Sequence, residues 1–195
     1  MQIPFLMKSH ELIGLLKRGS PIVFPTDTVP ALAATPEHSS NLWKIKNRPQ
    51  SKPLILMAAS IQDLLLYALE DAAKDAFGLA SAYWPGALTM VLPVNSDIAA
   101  KLNPFGESIG MRVPACNLAL DFLQKSGPLA TTSANLSGLD PLMNPESISE
   151  SFPELPLLGP LPWPQGSGLP STLIKWQEGD WQLLRRGAVI PSEVA

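Results

Sequence analysis

Apolar runs of three to six residues, separated by stretches with helical spacing, constrain this chain more than any other feature. Ile22-Val-Phe24, Pro53-Leu-Ile-Leu-Met57, Leu88-Thr-Met-Val-Leu92 and Ser108-Ile-Gly-Met-Arg-Val113 read as strands. They are apolar, bounded by turn residues and too short for buried helices. Helical patterns lie between them. Ser9 reads as the cap of a helix carrying Leu12, Ile13, Leu15 and Leu16, and Gly19 stops it. Residues 38–46 place Leu42, Trp43 and Ile45 on one side, and Ser60-Ile-Gln-Asp63 opens a further helix. Ala72 to Ala82 is Ala-rich and ends at Trp84-Pro-Gly86, and a short helix covers about 116–125. Ser171-Thr-Leu-Ile-Lys175 and Trp181-Gln-Leu-Leu-Arg185 read as two strands joined around Glu178-Gly-Asp180. Alternation followed by a hairpin predicts an α/β protein, a twisted mixed sheet flanked by helices. Its 195 residues suit a single domain over 1–195 with a substantial core.

Composition narrows the functional classes. A net charge of −3 excludes a general nucleic-acid coat, so anion binding has to come from a local patch. The one cysteine, Cys116, forms no internal disulfide and belongs to no Cys-rich zinc signature. No apolar run approaches the roughly 20 residues of a membrane span, and Met1-Gln-Ile-Pro-Phe-Leu-Met lacks a signal peptide's cationic start. A cytoplasmic protein without membrane contact is the expectation.

Pro25-Thr-Asp-Thr-Val-Pro-Ala follows the first strand and leaves Thr26, Asp27 and Thr28 at its mouth, where sites of α/β proteins often lie. Downstream, Lys44, Lys46, Arg48 and Lys52 form a knot of cations closed by Pro49 and Pro53. Guanidinium forks and ammonium points suit phosphate oxygens, so the pairing suggests a pocket for a polyanion such as a nucleotide. Arg112 on its strand suits a carboxylate; Ser133 and Asn135 at a tight turn, with Ser171 and Thr172, suit phosphate or ribose. The competing readings are a solvated helix face for the lysines, turn chemistry for Ser133 and Asn135, and a surface cation for Arg112. No Walker-type glycine loop, nucleophile elbow or Ser/His/Asp order is present, and His10 and His38 stand far from any paired acid. From 141 to 170 eight prolines and three glycines exclude a central strand or long helix, so this stretch reads as a loop or lid.

Seven elements occur in one order: Pro25-Thr-Asp-Thr-Val, Lys46-Asn-Arg-Pro with Lys52-Pro-Leu, Trp84-Pro-Gly with Leu88-Thr, Met111-Arg-Val-Pro, Thr132-Ser-Ala-Asn-Leu-Ser-Gly138, Ser171-Thr-Leu-Ile174 and Leu184-Arg-Arg-Gly187. In that order the chain resembles the short, single-domain YrdC-like L-threonylcarbamoyladenylate synthases, from about residue 9 to 190. The resemblance implies a twisted α/β sheet with a basic concave cavity. It also implies that L-threonine, bicarbonate and ATP react to give threonylcarbamoyl-AMP and pyrophosphate, for threonylcarbamoyladenosine in tRNA. A separate threonylcarbamoyl transferase complex is the implied downstream partner. Carried over by position, Thr28, Arg112, Thr131 and Ser171 fall where the family holds threonine. Lys46, Arg48, Lys52, Ser108, Ser133, Asn135 and Arg185 fall where it holds ATP, with Mg2+ bridging the phosphates, no organic cofactor and no catalytic nucleophile. The chain departs from the family pattern at Pro30-Ala31, where relatives carry an aromatic-Gly pair, and at Met57, where some carry a histidine. Two further readings stay open: a module that binds tRNA or double-stranded RNA, and a paralogue acting on a different carbamoyl adenylate.

Overall fold

A computed structural model describes residues 4–194. The first half of the chain contains β1 (Leu6–Met7), α1 (Ser9–Lys17), β2 (Ile22–Phe24), β3 (Ala31–Ala34), α2 (Ser40–Ile45), β4 (Ile55–Met57), α3 (Ile61–Leu65), α4 (Glu70–Tyr83) and β5 (Leu88–Pro93). The second half contains α5 (Ser96–Leu102), β6 (Ser108–Arg112), α6 (Asn117–Ser126), β7 (Leu129–Ser133), α7 (Pro145–Ser151), β8 (Leu157–Leu158), β9 (Thr172–Gln177) and β10 (Asp180–Arg185). All ten strands join one sheet in the order β1-β8-β2-β3-β7-β4-β6-β5-β9-β10. Parallel pairs (β4–β6, β5–β9) alternate with antiparallel ones (β2–β3, β3–β7, β4–β7, β5–β6, β9–β10), so the sheet is mixed as expected.

Alternation along each strand divides the core in two. Val23, Leu32, Leu56, Met90 and Met111 point to one face and pack with Leu42, Trp43, Ala76 and Ile98 from α2, α4 and α5. Ile22, Phe24, Ala33 and Leu129 point to the other, where Leu12 and Leu16 of α1 and Phe122 and Leu123 of α6 cover them. Helices α1 and α6 close only part of this second face. Beyond them, Ile55, Thr131, Arg112 and Ser171 face a cavity.

Several local expectations change. Lys8, not Ser9, caps α1, and its backbone N–H is taken by Glu11. Gly19 does end that helix, at φ +85°. Strands β3 and β7 and helix α5 join the anticipated elements. The stretch 141–170 is no simple lid. Pro145 occupies the first turn of α7, where a missing N–H is tolerated. Ile148, Phe152, Leu155, Leu157 and Leu158 are buried, and β8 pairs with both β1 and β2. Proline here delimits short elements instead of excluding them. No helix among the described residues is long and apolar enough to cross a membrane.

Candidate functional site

Strand β2 ends at Phe24, and the chain turns through Thr26–Thr28 before returning as β3. That turn is clamped by backbone. Ser167 N and Gly168 N donate to the carbonyls of Asp27 and Thr28 at 2.9 and 3.0 Å. Only glycine fits at 166, because a Cβ there would lie 2.3 Å from the Thr28 carbonyl oxygen. Arg112, at the end of β6, reaches the same turn. Its Nη2 meets Asp27 Oδ1 at 2.6 Å, its Nη1 donates to Thr28 Oγ1 at 2.8 Å, and its Nε donates to the Gly86 carbonyl at 2.8 Å. Asp27 Oδ1 also accepts from Ala115 N. The guanidinium has five N–H donors; three are engaged, which leaves one on each terminal nitrogen. Arg112 is only 2% exposed. It is therefore not a surface cation but a buried fork with two donors in reserve.

The cavity before it has a volume of about 270 Å³. Eight of the sequence-derived residues line it: Thr28, Arg112, Thr131 and Ser171 on one side, with Arg48, Ser133, Asn135 and Arg185 around the rest. Pro30, Ala31, Ile55 and Met57 give it an apolar wall. A second cavity of about 430 Å³ adjoins it and shares Arg48, Pro53, Ile55 and Arg185. Lys52 and Ser108 line this neighbour, not the first cavity. Arg48 is held by the Lys52 and Pro53 carbonyls at 3.3 and 3.1 Å, and Arg185 by the Ser171 carbonyl at 2.9 Å. Burial lowers the pKa of all three arginines; Asp27 partly offsets this for Arg112, and Arg185 adds to it.

The cationic knot is dispersed by the fold. Lys44 is exposed, whereas Lys46 is 1% exposed and lines neither cavity. Lys46 Nζ donates to the Ser133 carbonyl, to Asn135 Oδ1 at 3.0 Å and to Ser133 Oγ at 3.4 Å. Asn135 Nδ2 in turn donates to the carbonyls of Leu136 and Leu139. Lys46 thus braces the Ser133–Leu139 turn from behind, through Asn135, which also reaches the cavity lining. Burial, then the nearby Arg48 charge, pushes the Lys46 ammonium down to about 7 from an ordinary value of 10.5. The unfolded chain keeps that proton across this window and the fold does not, so stability from this position is lowest below pH 7 and rises toward 10.5. The slope is at most about 1.4 kcal/mol per pH unit. Lys46→Met is expected to flatten the rise, read from urea unfolding at several pH values; an unchanged slope would clear Lys46 as its source.

The sequence places Thr26 and Asp27 at the strand mouth without assigning either a role. Asp27 stood in view at the strand mouth, but its partner lies 85 residues away. Among the described residues no group of three or more His, Cys, Asp or Glu is placed to hold a metal.

Fold and cavity define a class: an α/β protein that can hold small anionic ligands on the open face of its sheet. Comparison with known proteins narrows it. The model of the Sua5/YciO/YrdC family, described as telomere recombination, matches residues 14–187. The chain belongs to that family. The threonylcarbamoyl-AMP synthase of Aliivibrio fischeri is 36% identical over 137 residues, which are 68% of this chain and 74% of that protein. The protein of the same name from Bacillus subtilis is 32% identical over 191 residues, 93% of this chain and 54% of that one. The structure of Pyrococcus abyssi Sua5 complexed with L-threonine superposes with a TM-score of 0.84 at 29% identity, over 92% of this chain and 54% of its own. This chain therefore spans about half the length of the Bacillus and Pyrococcus relatives.

Proposed function

We propose that this protein makes threonylcarbamoyl-AMP and pyrophosphate from L-threonine, bicarbonate and ATP. The observation that carries the reading is the shared wall: a small cavity with a buried arginine fork and a second cavity have Arg48, Pro53, Ile55 and Arg185 in common on their linings. The first cavity, smaller and closed at one side by the Arg112 fork, is assigned to the amino acid. The second, larger volume, with Lys52 and Ser108 on its lining, is left for the nucleotide. Threonine lies against Thr28, Arg112, Thr131 and Ser171, and the triphosphate against Arg48 and Arg185, with Ser133 at the junction. Asn135 stands with Ser133 on the cavity lining, and Lys46 acts on ATP through the turn it braces.

The chemistry requires no protein nucleophile. Bicarbonate yields carbon dioxide with loss of water, and threonine's neutral amine takes it up as a carbamate with release of a proton. The carbamate oxygen then bonds to the α-phosphorus while the bond to the β-phosphate oxygen breaks and pyrophosphate leaves. The protein aligns the two reactants and offsets negative charge with preorganised donors, which together supply many kcal/mol. Arg48 and Arg185, common to both cavities, stand where charge develops. A magnesium ion bound together with ATP would offset phosphate charge, while Arg48, Arg185 and Lys52 would supply the protein's own contacts to the nucleotide. The adenylate then passes, in the cytoplasm, to a transferase that modifies tRNA.

Incubation with ATP, L-threonine and bicarbonate tests this. Pyrophosphate release should depend on both threonine and bicarbonate, and omission of either should abolish it. Release that ignores threonine would overturn the reading.

A further inference from the structure

The hydrogen bonds behind the cavity run in one direction. Thr26 is 2% exposed and lies outside the cavity lining. Its Oγ1 stands 2.7 Å from the Val29 carbonyl, and a carbonyl only accepts, so the hydroxyl's single proton points there. The Thr28 amide donates to the same Oγ1 at 3.1 Å. The Thr26 and Thr28 hydroxyls are also 3.1 Å apart, and with the Thr26 proton engaged, the proton in that contact is Thr28's. Arg112 Nη1, which can only donate, meets Thr28 Oγ1 at 2.8 Å. Thr28 has therefore given its proton and received one. What remains on the cavity side is a lone pair. Thr131 reaches the same condition by a shorter route, its Oγ1 donating to the Ile55 carbonyl at 3.0 Å.

We propose that Thr26 is a positioning residue: by making Thr28 a pure acceptor beside the Arg112 fork, it tunes the cavity to an α-amino acid. The inference deepens the amino-acid reading above and rests on it. Thr28 Oγ1 adjoins one end of the fork, so a ligand whose carboxylate takes the two reserve donors presents its next carbon's substituent to that lone pair. An amino nitrogen brings a hydrogen there; a methylene brings none. The backbone around Thr26 is held from two sides, by the Gly166–Gly168 strand of chain and by Asp27's bond to Ala115 N. A direction set at Thr26 is thus transmitted without slack.

Thr26→Val keeps the shape and removes the hydroxyl, which frees the Thr28 proton to turn toward the cavity. Thr26→Ser retains the hydroxyl. The valine variant is expected to raise the KM for L-threonine about tenfold and to leave the KM for ATP within about twofold, with the serine variant near the parent on both. A purely structural role would move both constants together. A second measurement needs no variant: competition by two threonine analogues, one with a hydroxyl and one with hydrogen in place of the amine. The hydroxyl analogue, 2,3-dihydroxybutyrate, should inhibit about tenfold more tightly than 3-hydroxybutyrate. Equal inhibition by the two, or a folded Thr26→Val protein with an unchanged threonine KM, would overturn the proposal. If the valine variant does not fold, the analogue pair decides alone. A parent protein that neither binds nor consumes L-threonine would instead bring down the amino-acid reading itself, before any variant is compared.

Discussion

Arg112→Lys is expected to raise the KM for L-threonine about a hundredfold while the KM for ATP changes less than about threefold. Lysine keeps the charge but has three donors on one nitrogen. It cannot reproduce bonds to the Gly86 carbonyl, Thr28 Oγ1 and Asp27 Oδ1 while presenting two parallel donors to a carboxylate. The loss should therefore fall on the amino acid, whose recognition depends on the fork, and not on the nucleotide, whose phosphates are assigned to Arg48 and Arg185. Stability should fall as well, by about 3 kcal/mol, because Asp27 loses much of its pairing in a largely buried position. Steady-state kinetics with each substrate varied in turn check this. Equal changes in both constants would move Arg112 among the phosphate ligands, and unchanged kinetics would remove it from the site.

Arg48→Ala should weaken ATP binding about ten- to a hundredfold, as expected for loss of a charge-assisted contact to phosphate. Arg48 lines both cavities and is aimed by the Lys52 and Pro53 carbonyls, so its free donors are already oriented before the nucleotide arrives. Those carbonyls belong to an exposed loop where water can replace the guanidinium, and the fold should survive with a loss near about 1 kcal/mol. Calorimetric titration with ATP is the measurement. An affinity equal to the parent's would exclude Arg48 from the nucleotide site.

Much of this fold was legible in the sequence because its strands are short apolar runs between clear stops. Strand β3 was not. Ala31–Ala34 has neither β-branched nor aromatic residues, and it becomes a strand because β2 and β7 pair with it from both sides. The proline-rich stretch misled for a different reason. Proline forbids a helix interior but not a first turn, and Asn144 caps α7 just ahead of Pro145. At the site, residue types picked out side chains that the fold gathers around one cavity, and the roles given to them came from family resemblance. What no local pattern reveals is which way a cation faces. Lys46 and Arg48 are two residues apart, yet one braces a turn from beneath and the other lines the cavity. Asp27 shows the same limit, since its importance resides in a partner on a strand far along the chain.

The cavity walls are drawn from Thr28 at one end of the sequence to Arg185 at the other. As the chain leaves the ribosome, Arg112 and Asp27 can meet once β6 has emerged, but the wall bearing Ser171 and Arg185 waits for β9 to settle beside β5, more than eighty residues behind it in the sequence. A product cut short in that last hairpin would retain most of its apolar core and no closed cavity. Closure of the cavity thus requires a chain made at least through Arg185, a property conferred by the parallel β5–β9 pairing and not by any single residue.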